Sequence, residues 1–141
     1  MRDVHVAGVA TTKFGQHTGR TLGSLATEAI EFALTDAQLL VCQVEAAVFS
    51  NAAEGVLSGQ EMIRGQVSLK GTGLEGIPIV NTENACASGG SALHLAWLMV
   101  ASGQQDVVIA VGAEKLIHAD KQRSFAAIES GTDRRDRKSV V

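Results

Sequence analysis

The sequence predicts an α/β fold with a mostly parallel sheet and helices on both faces of that sheet. Short apolar runs typical of strands alternate with segments whose apolar residues recur at helical spacing, in the order strand, helix, strand, helix, strand, helix, strand. The run 107–111 is continuously apolar, which is typical of a strand covered on both faces. Repeated βαβ units form parallel sheets, and their functional sites lie beyond the carboxyl ends of the strands.

Composition excludes several classes of protein. The 141 residues are 45% hydrophobic and 19% charged, which indicates one globular domain rather than a disordered or fibrous chain. A net charge of −3 leaves no broad basic surface, so we expect no nucleic-acid partner. The apolar runs are too short to span a bilayer, no signal-peptide pattern follows Met1, and two cysteines make no disulfide framework. We expect a cytoplasmic protein with no membrane span and no metal site.

The first quarter of the chain predicts a strand, a loop and a helix. Residues 4–9 form a short β-branched run and are expected to be the first strand. Residues 11–23 are polar and contain glycine, which favours a loop. Apolar residues then recur at helical spacing from Leu22 to Ala37, so we expect a helix of about four turns with Thr21 or Ser24 as its N-cap.

The next stretch predicts a second strand and a second helix. Residues 45–50 are expected to be the strand, residues 51–59 a loop, and residues 58–70 the helix. Residues 71–76 contain three glycines, which favours another loop. Their spacing does not match Gly-x-Gly-x-x-Gly, so a nucleotide cradle is not predicted.

The third βα unit has the strongest patterns. Residues 77–81 are expected to be a strand, with Pro78 near its first position, where a missing N–H is tolerated. Residues 88–102 are apolar around most of a helical circumference, which predicts a buried helix ended by Gly103. The strand 107–111 follows, and beyond Lys115 the sequence predicts no further element.

Cys86 lies between this third strand and its helix and is the candidate nucleophile. A helix start carries unpaired N–H groups and about half a positive charge, which stabilise a thiolate over a thiol. Small residues follow the cysteine, and they let a substrate carbonyl approach the backbone closely. A lone cysteine is more often a small buried hydrophobe. That interpretation applies to Cys42, which lacks the same context.

Residues 80–93, with the run Glu-Asn-Ala-Cys-Ala-Ser-Gly at their centre, resemble the nucleophile segment of the thiolase family. The form of this run resembles the branch that contains sterol-carrier-protein-type and archaeal acetyl-CoA acetyltransferase-like thiolases. Residues 106–115 resemble the strand and the Gly-x-Glu-Lys turn of that branch, and the order of elements from residue 3 to about residue 118 resembles the first half of a thiolase. Ketoacyl synthases and HMG-CoA synthases also place a cysteine at a helix start. The motif therefore distinguishes thiolases from these two enzyme classes less securely than it identifies the superfamily.

The resemblance implies an acyl-CoA C-acyltransferase that forms or cleaves 3-oxoacyl-CoA. Cys86 would hold the acyl group as a thioester, and its backbone N–H would contribute to an oxyanion site. Coenzyme A thioesters would be substrates, with no permanently bound cofactor and no assigned cofactor-binding residue. The strand before Cys86 would join a homodimer or tetramer. Asn84 and Ser88 could shape the site or serve as turn and cap, and Glu114 and Lys115 are assigned no chemistry.

Two alternatives stay open. The first is another condensing enzyme of the same superfamily, of the ketoacyl synthase or HMG-CoA synthase type. The second is a non-catalytic thiolase-like subunit that binds coenzyme A or serves as a scaffold.

The resemblance also implies that residues 1–135 are an N-terminal half, truncated before most of the loop domain and before the second half. That second half supplies a His, an Asn and a Cys-x-Gly cysteine in the family, so we expect residues 1–141 alone to be inactive. Residues 136–141 match one reading frame of a common sequencing adapter and are expected to be a non-native tail. Without its neighbouring layer, the sheet would expose an apolar patch above the roughly 300–600 Å² of a typical monomer. We therefore expect aggregation or a partner-dependent fold.

Overall fold

The computed structural model of the chain describes residues 1–133 and residue 135, so the predicted tail at 136–141 lies outside the described residues. Helices and strands alternate along the described part. They are α1 (Leu22–Ala37), β1 (Ala46–Ser50), α2 (Glu54–Ser58), α3 (Arg64–Ser68), β2 (Ile79–Thr82), α4 (Ser88–Ala101), β3 (Val108–Gly112) and α5 (Lys121–Glu129). Short 3₁₀ turns at Val41–Gln43 and Ala85–Ala87 precede β1 and α4.

The described residues form a three-stranded parallel sheet with β1 at its centre, in the order β2-β1-β3. Phe49 of β1 lies opposite Asn81 of β2 and Val111 of β3. All five residues of β1 are buried, as expected for a central strand with both faces covered. Parallel pairing is confirmed, and it brings the carboxyl ends of all three strands to one edge.

Helices cover both faces of the sheet, as predicted. Ala47 and Phe49 belong to the larger apolar cluster, on the α1 side. Val48 points to the other face, where it packs against Ala92 and Ala96 of α4. The larger cluster consists of Leu22, Ala26, Ile30, Val44, Ala47, Phe49, Leu69, Leu74 and Val111. Because side chains alternate along β1, this strand contributes to two separate apolar cores, one on each face of the sheet.

Helix α1 begins where the sequence predicts. The Thr21 side chain accepts a hydrogen bond from the backbone N–H of Ser24, so Thr21 is the N-cap. At the other end Gln38 adopts a left-handed conformation, and its N–H bonds to the carbonyls of Leu34 and Thr35. Both helix ends thus have partners for groups that would otherwise be unpaired.

We expect the substitution Thr21→Ala to lower the free energy of unfolding by about 1 kcal/mol, because it removes the side-chain acceptor at the start of α1. Thr21→Ser is the matched control, since it keeps a hydroxyl at the same position. Urea denaturation of the two variants measures the effect. Equal midpoints would show that the cap does not contribute.

The predicted first strand, residues 4–9, is not part of the sheet, so this prediction was wrong. Hydrogen bonds to helices hold the N-terminal stretch instead: the Val9 N–H donates to the Asp36 carboxylate of α1, and the N–H of Arg2, just before the segment, donates to the Ala101 carbonyl at the end of α4. A groove of about 980 Å³ lies beside the segment and is lined by residues of the segment and of β3. Composition predicted a strand here, but the segment pairs with no strand of the described sheet.

The predicted helix 58–70 was also wrong in its bounds, because the structure divides this region into α2 and α3. Gly59, with a φ of 87°, ends α2 in the left-handed conformation. Ile63, with a φ of 48°, precedes α3. The predicted loop 51–59 therefore contains α2. Left-handed residues interrupt the helical hydrogen bonding, and apolar spacing alone does not reveal them.

The glycine-rich segment 71–76 is a loop, as predicted. The Glu75 carboxylate closes it by accepting hydrogen bonds from the backbone N–H groups of Gly71 and Gly73. The bond from Gly71 is the main reason that the pKa of Glu75 lies below its ordinary value. The loop is thus organised by a carboxylate rather than around a phosphate.

Two predictions about helices are corrected. Helix α4 is not buried all round, because Ala92 and Ala96 face the sheet while Leu93 is 58% and Trp97 40% exposed. Only one face of α4 has a sheet to cover it within the described residues. Helix α5 was not predicted at all, and Ala127 packs it against Ala53 and Leu57. No helix in the part of the chain that the structure describes combines the length and apolar character needed to cross a membrane.

Candidate active site

Cys86 lies in the short 3₁₀ turn that joins β2 to α4. Strand β2 ends at Thr82 and α4 begins at Ser88, so the cysteine is at the carboxyl edge of the sheet, immediately before a helix. Its side chain is exposed and it forms no disulfide. This is the location expected from the sequence. The role of Cys86 as a nucleophile stays a prediction.

Hydrogen bonds within the turn hold its backbone in one conformation. The Ala85 N–H donates to the Glu83 carboxylate at 2.6 Å, and the Ala87 N–H donates to the Asn84 carbonyl at 2.9 Å. The Ser88 hydroxyl accepts from the Asn84 N–H at 2.8 Å and donates to the Ala85 carbonyl at 2.7 Å. Every residue around Cys86 is thus tied to another residue of the same turn.

The two glycines that follow the cysteine border open space. A methyl group added at Gly89 or Gly90 would meet no atom within 4 Å. At Gly65 in α3, by contrast, it would come within 2.7 Å of the Phe49 Cβ. Packing inside the described chain therefore requires a small residue at position 65 but not at positions 89 and 90. The surface beside Cys86 and the first turn of α4 is thus open on this side.

Glu114, in the turn after β3, acts as a structural brace. Its carboxylate accepts hydrogen bonds from the N–H groups of Ala52 at 2.8 Å and Ala53 at 3.1 Å, where α2 begins. The buried Asn51 donates from its side chain to the Ala113 carbonyl at 2.9 Å. These bonds join the carboxyl ends of β1 and β3 to α2. They hold the edge of the sheet on which Cys86 lies.

Lys115 is used for structure in a similar way. Its ammonium group donates to the Arg20 carbonyl at 2.5 Å and so ties the turn after β3 to the loop before α1. The sequence analysis predicted no catalytic role for Glu114 or Lys115. Their hydrogen bonds to the main chain give both residues of the Gly-x-Glu-Lys turn a structural role.

A cavity of about 220 Å³ lies near the ends of β1 and β2. It is lined by Phe49, Asn51, Glu61, Ile63, Arg64, Asn81, Thr82 and Glu83. Arg64 is its cation, and the guanidinium donates to the carbonyls of Asn51 and Ala52 at 3.2 Å and pairs with Glu61 at 3.5 Å. Groups of the same chain therefore occupy the donors of Arg64. The guanidinium stabilises this corner of the fold.

The end of α5 reaches the turn that carries Cys86. A methyl group added at Gly131 would lie 3.9 Å from the Ala85 Cβ. The sequence does contain a signal for this helix: Asp120 is its N-cap and accepts a hydrogen bond from the Gln122 N–H at 2.9 Å. An Asp immediately before a helix-compatible run is an N-cap signature, but the run is mostly polar, so apolar periodicity does not reveal this helix.

Apart from Cys86, the described residues offer no cluster of candidate metal ligands. Among residues 1–133 and 135, no group of three or more His, Cys, Asp and Glu side chains is arranged to hold a metal ion. Cys42 is exposed in the turn before β1, so the interpretation of it as a buried hydrophobe was wrong. His94 stacks on Trp97 on the surface of α4, with ring centroids 6.1 Å apart.

Comparison with known proteins gives consistent matches. Residues 4–140 match the family described as "Thiolase, N-terminal domain". Acetyl-CoA acetyltransferase of Methanothermobacter thermautotrophicus is 40% identical over 116 residues, which are 82% of this chain and 30% of that protein. Benzoylsuccinyl-CoA thiolase subunit BbsB of Thauera aromatica is 37% identical over 92% of this chain and 32% of its own length.

Sterol carrier protein 2 of Homo sapiens is also similar, with 35% identity over 82% of this chain and 21% of that protein. The chain thus spans a third or less of the length of these relatives. Among solved structures, 3-oxoacyl-[acyl-carrier-protein] synthase III from Aquifex aeolicus VF5 superposes with a TM-score of 0.61 at 22% identity. That superposition covers 79% of this chain and 35% of the synthase, and it supports the fold alone.

Proposed function

The chain belongs to the thiolase family, as an N-terminal domain of that family, and from this premise we propose that the whole protein is an acyl-CoA C-acyltransferase. It forms or cleaves 3-oxoacyl-CoA through an acyl group held on Cys86. The observation that carries the proposal is the exposed Cys86 thiol in a hydrogen-bonded turn directly before α4. Relatives named acetyl-CoA acetyltransferase support coenzyme A thioesters as the substrate class.

The chemistry proceeds in two steps. The Cys86 thiolate attacks the carbonyl carbon of an acyl-CoA, the new C–S bond to Cys86 forms, and the bond to the sulfur of coenzyme A breaks. The departing coenzyme A thiolate takes up a proton. In the synthetic direction, the carbanion of a second acyl-CoA attacks the thioester carbonyl, a C–C bond forms and the Cys86 thiolate leaves. Thiolytic cleavage is the reverse.

The turn and helix α4 supply electrostatic stabilisation in this scheme. The attack places negative charge on the former carbonyl oxygen, and the backbone N–H of Cys86 donates a hydrogen bond to it. The positive end of the α4 dipole acts on the same oxygen. Both contributions come from the main chain and are present before the substrate binds.

The acid and base of the reaction come from outside residues 1–135. The resemblance implies a His, an Asn and a Cys-x-Gly cysteine from a second half, and the lengths of the relatives support such a continuation. We propose that residues 1–135 are the N-terminal half, that residues 136–141 are a non-native tail, and that residues 1–141 alone are inactive. Reading the coding sequence beyond the Arg135 codon tests this arrangement.

We further propose a homodimer or tetramer and a cytoplasmic location. Strand β2 is at one edge of the described sheet, and Val80 on it is 36% exposed, so a second copy has backbone and side chain to pair with. Both cysteines are unpaired and exposed, as expected in a reducing compartment.

The test is to trap the acyl group on the protein expressed from its complete coding sequence. We expect incubation with acetyl-CoA to release free coenzyme A and to leave an acetyl group on the peptide that contains Cys86, located by tandem mass spectrometry. An acetyl group on Cys42 with none on Cys86 would contradict the proposal. Absence of acylation in a folded protein that binds acetyl-CoA would favour the non-catalytic subunit, and decarboxylation of a malonyl thioester would favour another condensing enzyme.

A further inference from the structure

Ala85, the residue before Cys86, has a backbone conformation that its side chain disfavours. Its φ is 46°, in the left-handed region. An L-residue with a Cβ is strained there, because the Cβ approaches the following carbonyl oxygen. Such strain persists only where the surroundings hold it, and it is found preferentially at functional sites. In this turn it determines the direction in which the chain enters Cys86.

Ser88 supplies the side-chain contacts that hold this conformation. Its hydroxyl accepts a hydrogen bond from the Asn84 N–H at 2.8 Å and donates one to the Ala85 carbonyl at 2.7 Å, so it bridges the two sides of Ala85. A hydroxyl can accept and donate at once, whereas an alanine at the same position can do neither. Ser88 is 6% exposed, so water does not readily replace these bonds.

The Glu83 carboxylate also accepts a hydrogen bond from the Ala85 N–H. Because Glu83 is exposed, water competes with the Ala85 N–H for this carboxylate. The backbone N–H of Ser88 donates to the Ala85 carbonyl as well, and this bond does not depend on the side chain. The hydroxyl of Ser88 is therefore the buried side-chain contribution to the turn.

We propose that Ser88 is the positioning residue of the nucleophile: its hydroxyl locks Ala85 in the left-handed conformation and thereby directs Cys86 towards the open surface beside Gly89 and Gly90. The inference rests on the proposed function, because a direction for Cys86 matters only if the thiol reacts. Ser88 itself does not touch the substrate in this scheme. Its effect appears in the reactive orientation of Cys86 and not in the binding of acyl-CoA.

The test compares Ser88→Ala with Ser102→Ala in the protein expressed from its complete coding sequence. Ser102 lies at the far end of α4, and its hydroxyl donates to the Met99 carbonyl three residues earlier, as that of Ser88 does to Ala85. We expect the rate of acylation of Cys86 at saturating acetyl-CoA to fall about 10²-fold in Ser88→Ala, the scale of a small misplacement of a reacting group. The KM for acetyl-CoA stays unchanged, and Ser102→Ala acylates at the wild-type rate.

A second variant keeps the test decisive if Ser88→Ala does not fold. Ala85→Gly removes the strain, because glycine adopts a positive φ freely. The double variant Ala85→Gly/Ser88→Ala therefore keeps the fold but leaves the turn free to move, and we expect it to acylate as slowly as Ser88→Ala. A folded double variant that acylates at the wild-type rate would overturn the inference.

The Cys86→Ala variant, measured alongside, separates the two proposals. If Cys86→Ala still carries the acyl group, the proposed function fails and the inference fails with it. If Cys86→Ala carries none while Ser88→Ala acylates at the wild-type rate, the function stands and only the role of Ser88 is wrong. A parallel fall in kcat and rise in KM in Ser88→Ala would indicate a general disturbance of the site and would also overturn the inference.

Discussion

Cys86→Ala is expected to abolish acyl transfer in the protein expressed from its complete coding sequence. Removal of the thiol removes the atom that carries the acyl group, and no neighbouring residue of the turn offers a second nucleophile of comparable strength. We expect kcat to fall by at least about 10⁴-fold, a scale reached when the nucleophile of a covalent enzyme is deleted. The rate is measured as thiolytic cleavage of acetoacetyl-CoA, monitored by the loss of the absorbance of that substrate.

Cys42→Ser is the matched control for this experiment. Cys42 is also exposed and unpaired, but it lies in the turn before β1, away from the carboxyl edge of the sheet. We expect Cys42→Ser to retain the wild-type rate. A Cys86→Ala protein that is folded and turns over normally would refute the assignment of the nucleophile. Loss of activity in Cys42→Ser alone would move the assignment to Cys42.

The second large effect is expected on stability, at Phe49 in the centre of β1. Its side chain is 1% exposed and belongs to the cluster that contains Ile30, Leu69 and Leu74. Truncation to alanine removes this apolar surface and leaves a cavity in a rigid environment, because β1 is paired on both sides. We expect Phe49→Ala to lower the free energy of unfolding by about 3–5 kcal/mol. That is a large part of the roughly 5–15 kcal/mol that stabilises a typical domain.

Phe14→Ala is the control for the same chemical change, since the Phe14 side chain is 91% exposed. Its free energy of unfolding should change by less than about 0.5 kcal/mol, as for other surface positions. Guanidinium denaturation of both variants, followed by circular dichroism, measures the difference. Equal midpoints for the two variants would contradict the assignment of Phe49 to the core.

The effect at Phe49 has a consequence for the site. Strand β1 continues into Asn51, whose side chain joins the end of β3, and the Asn51 N–H bonds to the Thr82 carbonyl at the end of β2. The turn that carries Cys86 begins at Ala85, three residues after Thr82. A variant that loosens β1 should therefore lose acyl transfer together with stability, whereas Cys86→Ala should lose acyl transfer alone.

Sequence reasoning located the candidate site more accurately than some of the elements around it. The strand-like run 77–81 and the helical pattern of residues 88–102 placed the cysteine between a strand and a helix, and the structure confirms that position. Local composition was sufficient there, because a strand–turn–helix connection is encoded within a few adjacent residues. The helix 58–70 failed for the opposite reason, since Gly59 and Ile63 adopt left-handed conformations that break a continuous apolar pattern.

Pairing partners and exposure were beyond the reach of a local pattern. Residues 4–9 have the composition of a strand, but Val9 donates its N–H to Asp36 of α1, and Arg2, just before the segment, donates to Ala101 of α4. Helix α4 has the composition of a buried helix, but the described chain covers only the face with Ala92 and Ala96. The exposure of Leu93 and Trp97 is consistent with the expected need for a partner layer, and that expectation stays a prediction.

The sequence by itself determined the α/β class, the parallel sheet and the location of Cys86, and it limited the N-cap of α1 to Thr21 or Ser24, because periodicity, capping and turn composition are properties of neighbouring residues. Only the tertiary structure decided which segments pair, where α5 packs, and how Ser88 and Glu114 are used. Those features depend on contacts between residues distant in sequence or on one strained φ angle, at Ala85. No pattern along the chain records either.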